Sequence, residues 1–259
     1  MLLQGKTVLV SGVGPGLGRS IAIACAREGA QLVLAARNRE YLARVAEEIS
    51  SQGGTALAVP TDICSAADCH ALVEAALARF GQVDVLVNNA FRGGVEPLFE
   101  QVDLQYWRDV FEVNVFGSLQ LTQAVVRHMR ESRRGSIVFV NSMSARIIEP
   151  GMGGYASSKG ALLIAARTLA KELGTYGIRV NSIVPGYIWS EKLEGYFRWL
   201  ARQQGRTFEE VRNDITSRTA LGHIPDSDEI ADTVVFFASD LSRAVTGQAL
   251  DVNAGHFFD

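Results

Sequence analysis

The chain has 259 residues, 47% hydrophobic and 20% charged, with 25 Lys and Arg against 28 Asp and Glu. That length and apolar share suit an α/β core, and the near-balanced, interspersed charge excludes the basic face of a nucleic-acid binder. Cys25, Cys64 and Cys69 lack framework spacing and a nearby His pair, so small buried or half-buried thiols are expected rather than a disulfide scaffold or a metal site.

Residues 7–11 are short, β-branched and bounded by glycine, which predicts a buried strand. Residues 16–29 place Ile21, Ala22, Cys25 and Ala26 at helical spacing. A strand at 31–35, a helix at 39–52 and a strand at 56–60 follow, and Ser65 is placed to cap a helix reaching Phe80. Next come a strand at 83–87, a long helix from Asp103 to about Glu131, and a strand at 136–140. A helix of small and apolar residues spans 154–176, then a strand 179–184, a helix 228–239 and a last strand 249–252. This order predicts a doubly wound, mostly parallel, Rossmann-like sheet of about seven strands with helices on both faces. Residues 1–259 read as a single domain, with 187–225 inserted as a helical lid over the strand ends. No run of eighteen apolar residues and no leader occur, so no membrane is expected and a reducing cytoplasm is.

The first strand runs into Ser11-Gly12-Val13-Gly14-Pro15-Gly16-Leu17-Gly18. Glycines let the backbone turn sharply and approach a ligand, and the following helix start offers N–H groups to a pyrophosphate. A glycine loop between a first strand and a first helix therefore predicts dinucleotide binding. Its spacing is G-x-x-x-G-x-G at Gly12, Gly16 and Gly18; the G-x-G-x-x-G pattern fails because Leu17 stands at its last glycine. The second strand closes Ala35-Ala36-Arg37, with no carboxylate for a ribose 2′-hydroxyl. Arg37 suits a 2′-phosphate, which favours NADP, with NAD as the alternative if Arg37 is a solvated surface side chain.

Tyr155 and Lys159 are four apart and so share a helix face. A phenol is a poor base at neutral pH, and a nearby ammonium lowers its pKa, which makes the pair a workable general acid–base. Ser142 stands at the end of the fifth strand, on the rim where such sheets bind ligands.

Together these motifs resemble the single-domain branch of the short-chain dehydrogenase/reductase family, over essentially the whole chain. The residues that carry the resemblance are Gly12-x-x-x-Gly16-Leu17-Gly18, Asp62, Asn88-Asn89-Ala90, Asn114, Ser142, Tyr155-x-x-x-Lys159 and Pro185-Gly186-Tyr187-Ile188. The resemblance implies an NAD(P)-dependent oxidoreductase moving a hydride between the nicotinamide and a carbonyl or secondary alcohol, in a homotetramer. It implies that Tyr155 exchanges the proton, that Lys159 lowers the Tyr pKa and holds the ribose, and that Ser142 polarises the carbonyl. Asn114 would hold a water joining Lys159 to solvent, or else back-bond within its helix. Asp62 is expected at the adenine, Asn88 at the cofactor-side backbone, and Ile188 and Ser190 at the carboxamide and phosphate region, with Ala90 and Pro185 among the cofactor contacts. Departures from the family pattern are Phe91, where glycine is usual, Ser11 for threonine, and Ser144 as a second hydroxyl beside Ser142. Phe91 either narrows the site or reshapes the loop to Pro97.

Tyr187, Trp189, Tyr196, Phe197 and Trp199 either line a pocket for an apolar or ring-bearing small molecule or pack the lid down. Arg92, Arg146 and Arg198 either meet an anionic group or lie at the surface. The tail His256-Phe257-Phe258-Asp259 is apolar and is expected at a subunit interface. Alternative functions are an NAD-preferring alcohol dehydrogenase, a reductase of carrier-bound 3-oxoacyl chains, and a dinucleotide sensor without chemistry.

Overall fold

A computed structural model describes residues 1–258; Asp259, the last residue of the apolar tail, lies outside them. Seven strands form one sheet: β1 (Thr7–Ser11), β2 (Gln31–Ala36), β3 (Thr55–Pro60), β4 (Val85–Asn88), β5 (Gly135–Val140), β6 (Ile178–Pro185) and β7 (Ala249–Val252). Their order is β3-β2-β1-β4-β5-β6-β7, and every neighbouring pair is parallel. Strands covered on both faces read as near-continuous apolar runs, and all five residues of β1, Thr7 and Ser11 included, are buried.

Alternation sorts those residues between two cores. Val8, Val10, Leu32, Leu34, Val85 and Val87 meet α1 (Leu17–Arg27), α2 (Arg39–Ser51) and α9 (Ser227–Ala238). Leu9, Val33, Leu86, Ile137 and Phe139 meet α3 (Ala66–Phe80), α5 (Ser118–Ser132) and α6 (Gly153–Leu173). Adjacent strand residues thus serve opposite faces, as the pleat requires.

The helix expected from Asp103 to Glu131 is one run with a fault in it. Asp103 does cap it, but α4 (Leu104–Phe111) passes into a π-helical turn, Glu112–Gly117, before α5 begins. The extra residue of a π turn turns Asn114, fully buried, out of the helix ladder and toward other elements. The expected 154–176 helix ends at Leu173 and closes in a 3₁₀ turn, Gly174–Tyr176.

The lid comprises α7 (Glu191–Gln204), capped by Ser190, and α8 (Phe208–Thr216), started by a capping box of Thr207 and Glu210. Phe197, Ala201, Val211 and Ile224 give it a small core of its own. Its two ends are pinned together, the Trp189 amide donating to the Pro225 carbonyl at 2.8 Å. No helix among the described residues is long and apolar enough to cross a membrane.

Gly18 shows how tightly the first helix meets its loop. A Cβ there would overlap the Gly12 carbonyl and come within 2.8 Å of the Asn89 amide nitrogen. Alanine normally stabilises a helix interior relative to glycine. Here Gly18→Ala is expected to destabilise the fold by about 1–3 kcal/mol, through overpacking. Urea unfolding checks this; an unchanged or raised midpoint would show that the loop swings clear of the helix.

Candidate active site

In an open parallel sheet the loops after two adjacent strands diverge where the strand order reverses, and a ligand crevice opens between them. Here that point lies between β1 and β4. Gly12, at φ +77°, donates its amide to Ala35 at 2.8 Å, and a Cβ on it would overlap the main chain of Ala90. The Asn89 amide donates to the Gly12 carbonyl at 2.8 Å. Asn88, expected at the cofactor side, is instead turned inward, only 2% exposed, and its amide donates to Thr122 Oγ1 at 2.9 Å. Asn89 is therefore the side chain that braces the glycine loop. The sequence shows two adjacent asparagines, and only the pleat of β4 separates their roles.

Gly16, at φ +93°, opens α1 with no capping side chain and no acidic residue in the first turn. By contrast Asn38, Ser65, Asp103, Ser190, Thr207 and Asp226 each cap the helix they precede. A Cβ at Gly14 would meet nothing within 4 Å, so the loop has open space beside it. An uncapped helix start beneath a glycine-rich loop fits a pyrophosphate. Leu17 and Gly18 form the first turn of that helix.

Arg37 is exposed and lies directly after β2, two residues past the Ala35 carbonyl that receives the Gly12 and Val13 amides. Asp62 is exposed beyond the end of β3, where its carboxylate accepts from the Cys64 amide at 3.0 Å. Pro185 ends β6, and Ile188 packs partly buried against the core. The Ser190 hydroxyl accepts from the Leu193 amide at 3.2 Å, so it is engaged as a helix cap. The cysteines are free, Cys25 and Cys69 buried and Cys64 half-buried.

Ser142 leaves β5 and accepts the Ser144 amide at 3.2 Å, while the two hydroxyls lie 3.2 Å apart. Tyr155 and Lys159 project from α6. Burial pushes the Tyr155 phenol above its ordinary value, and a hydrogen bond with Ser142 pulls it part of the way back. Lys159 is 2% exposed, and burial lowers it to about 7. Its Nζ donates to the Val140 carbonyl at 2.7 Å and stands 5.7 Å from the centre of the Tyr155 ring. The expected pairing, an ammonium holding the phenol down, is thus not delivered by these two side chains alone. A dry pocket disfavours both charged forms, and the ammonium is spent on a carbonyl.

Asn114 also departs from expectation. Its Oδ1 accepts from the Arg92 amide at 2.7 Å, and its Nδ2 donates to the Arg92 carbonyl and to Ser158 Oγ, each at 2.9 Å. An amide has two N–H donors and both are used. The side chain therefore clamps the loop after Ala90 to α6 instead of back-bonding, and a relay water would have no amide donor from it.

That loop covers Tyr155. A Cβ at Gly93 would overlap the Tyr155 ring. The Phe91 ring meets Tyr155 edge-on at 6.2 Å and lies 6.0 Å from the Lys159 ammonium, yet is 58% exposed. Phe91 therefore narrows the site. The three arginines are all engaged: Arg92 with Asp109 at 3.2 Å, Arg198 with Glu194 at 2.6 Å, and Arg146 with Asp251 at 2.5 Å. Arg146, with a side chain only 8% exposed, is no surface residue.

The lid aromatics largely pack on each other. Trp189 meets Phe197, Phe208 and the Arg212 guanidinium, so it builds the lid's own core. Tyr187 meets Phe197 and stacks on His256 of the tail. Tyr196 and Trp199 stack at 5.9 Å and stay partly exposed.

Comparison with known proteins agrees with this layout. Residues 12–256 match the family model described as enoyl-(acyl carrier protein) reductase. The L-rhamnose 1-dehydrogenase (NAD(P)(+)) of Azotobacter vinelandii is 37% identical over 264 residues, covering 99% of this chain and 98% of its own. The 7alpha-hydroxysteroid dehydrogenase of Escherichia coli is 34% identical over 253 residues, covering 98% and 94%. An NAD⁺-bound xylitol dehydrogenase structure superposes with a TM-score of 0.91 at 29% identity, covering 98% of this chain and 100% of that one.

The depressed Lys159 has a consequence for stability. From about 7 up to the ordinary lysine range the unfolded chain binds more protons than the folded one, so stability rises with pH across that window. Below it the full cost of a buried ammonium is present. Lys159→Met is therefore expected to gain most over the wild type at acidic pH and least in the alkaline range. Urea midpoints of both proteins at about pH 6 and about pH 10 check this; a constant difference would contradict the buried charge.

Proposed function

Because the chain belongs to the short-chain dehydrogenase/reductase family, an oxidoreductase family, we propose that it transfers a hydride between NADP(H) and a ketone or secondary alcohol, with Tyr155 as the acid–base. The observation that carries this is the gathering of Ser142, Tyr155 and Lys159 at one point, with Lys159 Nζ 5.7 Å from the Tyr155 ring centre and Ser142 near enough to lower the phenol, on the rim toward which the glycine loop and uncapped α1 open. When bound, the nicotinamide supplies or accepts the hydride. Gly12, Gly16, Leu17 and Gly18 would hold the pyrophosphate, Arg37 the 2′-phosphate and Asp62 the adenine. Ala90, Pro185 and Ile188 would line the nicotinamide side, and Lys159 would meet the ribose.

In the reductive direction Tyr155 gives its proton to the carbonyl oxygen, and in the oxidative direction it takes the alcohol proton. Burial keeps Tyr155 protonated, which suits it to reduction. Ser142 donates to the same oxygen and stabilises its developing charge; Ser144 beside it shares that donor position. Lys159, lowered to about 7, changes protonation near neutrality and so sets the charge beside Tyr155 there.

An apolar or ring-bearing substrate is supported by the exposed Phe91 ring at the Tyr155 edge and by Tyr187 on the lid side. NADP preference rests on Arg37 and on the missing carboxylate at the end of β2. Exposed Phe116 and Ile164, 59% and 60%, support self-association as a homotetramer. Free thiols suit a reducing cytoplasm, and the formal charge of −3 suits a small-molecule partner better than nucleic acid.

Tyr155→Phe is expected to lower turnover about 10²–10⁴-fold while NADPH binding stays intact. Near-wild-type turnover on any ketone would remove Tyr155 from its role. Arg37→Ala is expected to raise the KM for NADPH more than that for NADH in steady-state assays. Equal effects on the two cofactors would overturn the 2′-phosphate assignment.

A further inference from the structure

Glu96 is a carboxylate 8% exposed, in the loop that covers Tyr155. Its Oε1 accepts the Gly154 amide at 2.7 Å, and its own amide donates to the Gly151 carbonyl at 2.9 Å. Met152, the residue before α6, supplies no capping side chain. Glu96 therefore caps the catalytic helix from a distant loop, at the amide immediately before Tyr155. A helix start stabilises a carboxylate through its dipole and its free amides, which offsets part of the cost of burial.

The fit around this contact is close. A Cβ at Gly153 would overlap the Trp107 ring and come within 3.3 Å of Glu96 Oε1. One at Gly154 would come within 2.9 Å of Trp107 and 3.1 Å of Glu96 Oε2. Gly153 and Gly154 thus let the carboxylate and the indole reach the helix backbone. Glu96 Oε2 and Trp107 Nε1 are buried without hydrogen-bond partners among the described residues. A residue that keeps half its carboxylate unpartnered is poorly explained by stability alone.

The same loop touches Tyr155 between its two anchors. Asn114 clamps Arg92 at one end, Glu96 grips α6 at the other, and Gly93 lies on the Tyr155 ring between them. We propose that Glu96 is a positioning residue for the reaction: its bond to Gly154 fixes the covering loop against α6 and so fixes where the Tyr155 hydroxyl stands. This rests on the reading of Tyr155 as the acid–base. Glu96 acts through Tyr155 and touches no reacting atom.

The test compares wild type, Glu96→Ala, Glu96→Gln, Glu96→Asp and Tyr155→Phe, using NADPH and a ketone that the wild type reduces. Glu96→Ala is expected to lower kcat about tenfold, since small misplacements of a catalytic group carry such costs, with NADPH affinity unchanged. The pH limb of kcat that reports Tyr155 is expected to move in Glu96→Ala and to return in Glu96→Gln, whose amide oxygen still accepts from Gly154. Glu96→Asp keeps the charge but is one methylene short, and is expected to lose about threefold or more by the same reasoning; it decides the matter if the alanine variant does not fold. Wild-type kcat and an unmoved limb in Glu96→Asp, or in a folded Glu96→Ala, would overturn the proposal. So would a loss expressed only as weaker NADPH binding. An active Tyr155→Phe overturns the underlying reading instead, and an inactive Tyr155→Phe beside unaffected Glu96 variants overturns the positioning role alone.

Discussion

The backbone of Gly12 touches the backbone of Ala90, and the site depends on that contact. A side chain on Gly12 would force the loops after β1 and β4 apart, and one on Gly18 would push α1 off its loop. Asn89 fastens the arrangement by donating to the Gly12 carbonyl. The loop after β1 leads to an open, uncapped helix start, and the loop after β4 leads over Tyr155. One close approach therefore positions both halves of the site: the glycine loop at the start of α1 and the cover of Tyr155.

Around Tyr155 the deciding factor is dehydration. Burial raises the phenol and lowers the ammonium, so both members of the pair are driven toward neutrality. Ser142 opposes this for Tyr155, while Lys159 is occupied with the Val140 carbonyl. A site so arranged keeps the phenolic proton available for donation, and a dry environment strengthens each polar contact made inside it. The ribose of a bound cofactor would add hydroxyls next to Lys159, where these side chains leave the lysine only a carbonyl.

Much of this was legible in the sequence, and the exceptions have physical causes. Residues 7–11 declare a buried central strand because four of the five positions are apolar or β-branched. The glycines and the Ser142, Tyr155 and Lys159 set declare the rim. Asn88 and Asn89 could not be told apart without the register of β4, which turns adjacent side chains to opposite faces. The π turn at Glu112–Gly117 hid inside a continuous helical pattern, because one extra residue per turn barely disturbs the apolar spacing. Arg146 read as a surface or anion-binding group, since its partner Asp251 is 105 residues away. Glu96 carried no signal in the sequence for the same reason: the helix start that stabilises it lies 58 residues further on.

The central claim is that this rim performs hydride transfer to a carbonyl carbon. The most direct measurement offers the purified protein NADPH carrying two deuterons at the nicotinamide C4, with a panel of apolar and ring-bearing ketones, and reads the products by mass spectrometry. Hydride transfer at this rim gives an alcohol with one deuterium at its carbinol carbon, formed together with oxidised cofactor. Bound cofactor that stays fully deuterated across the panel, in both its NADPH and its NADH forms, would contradict it.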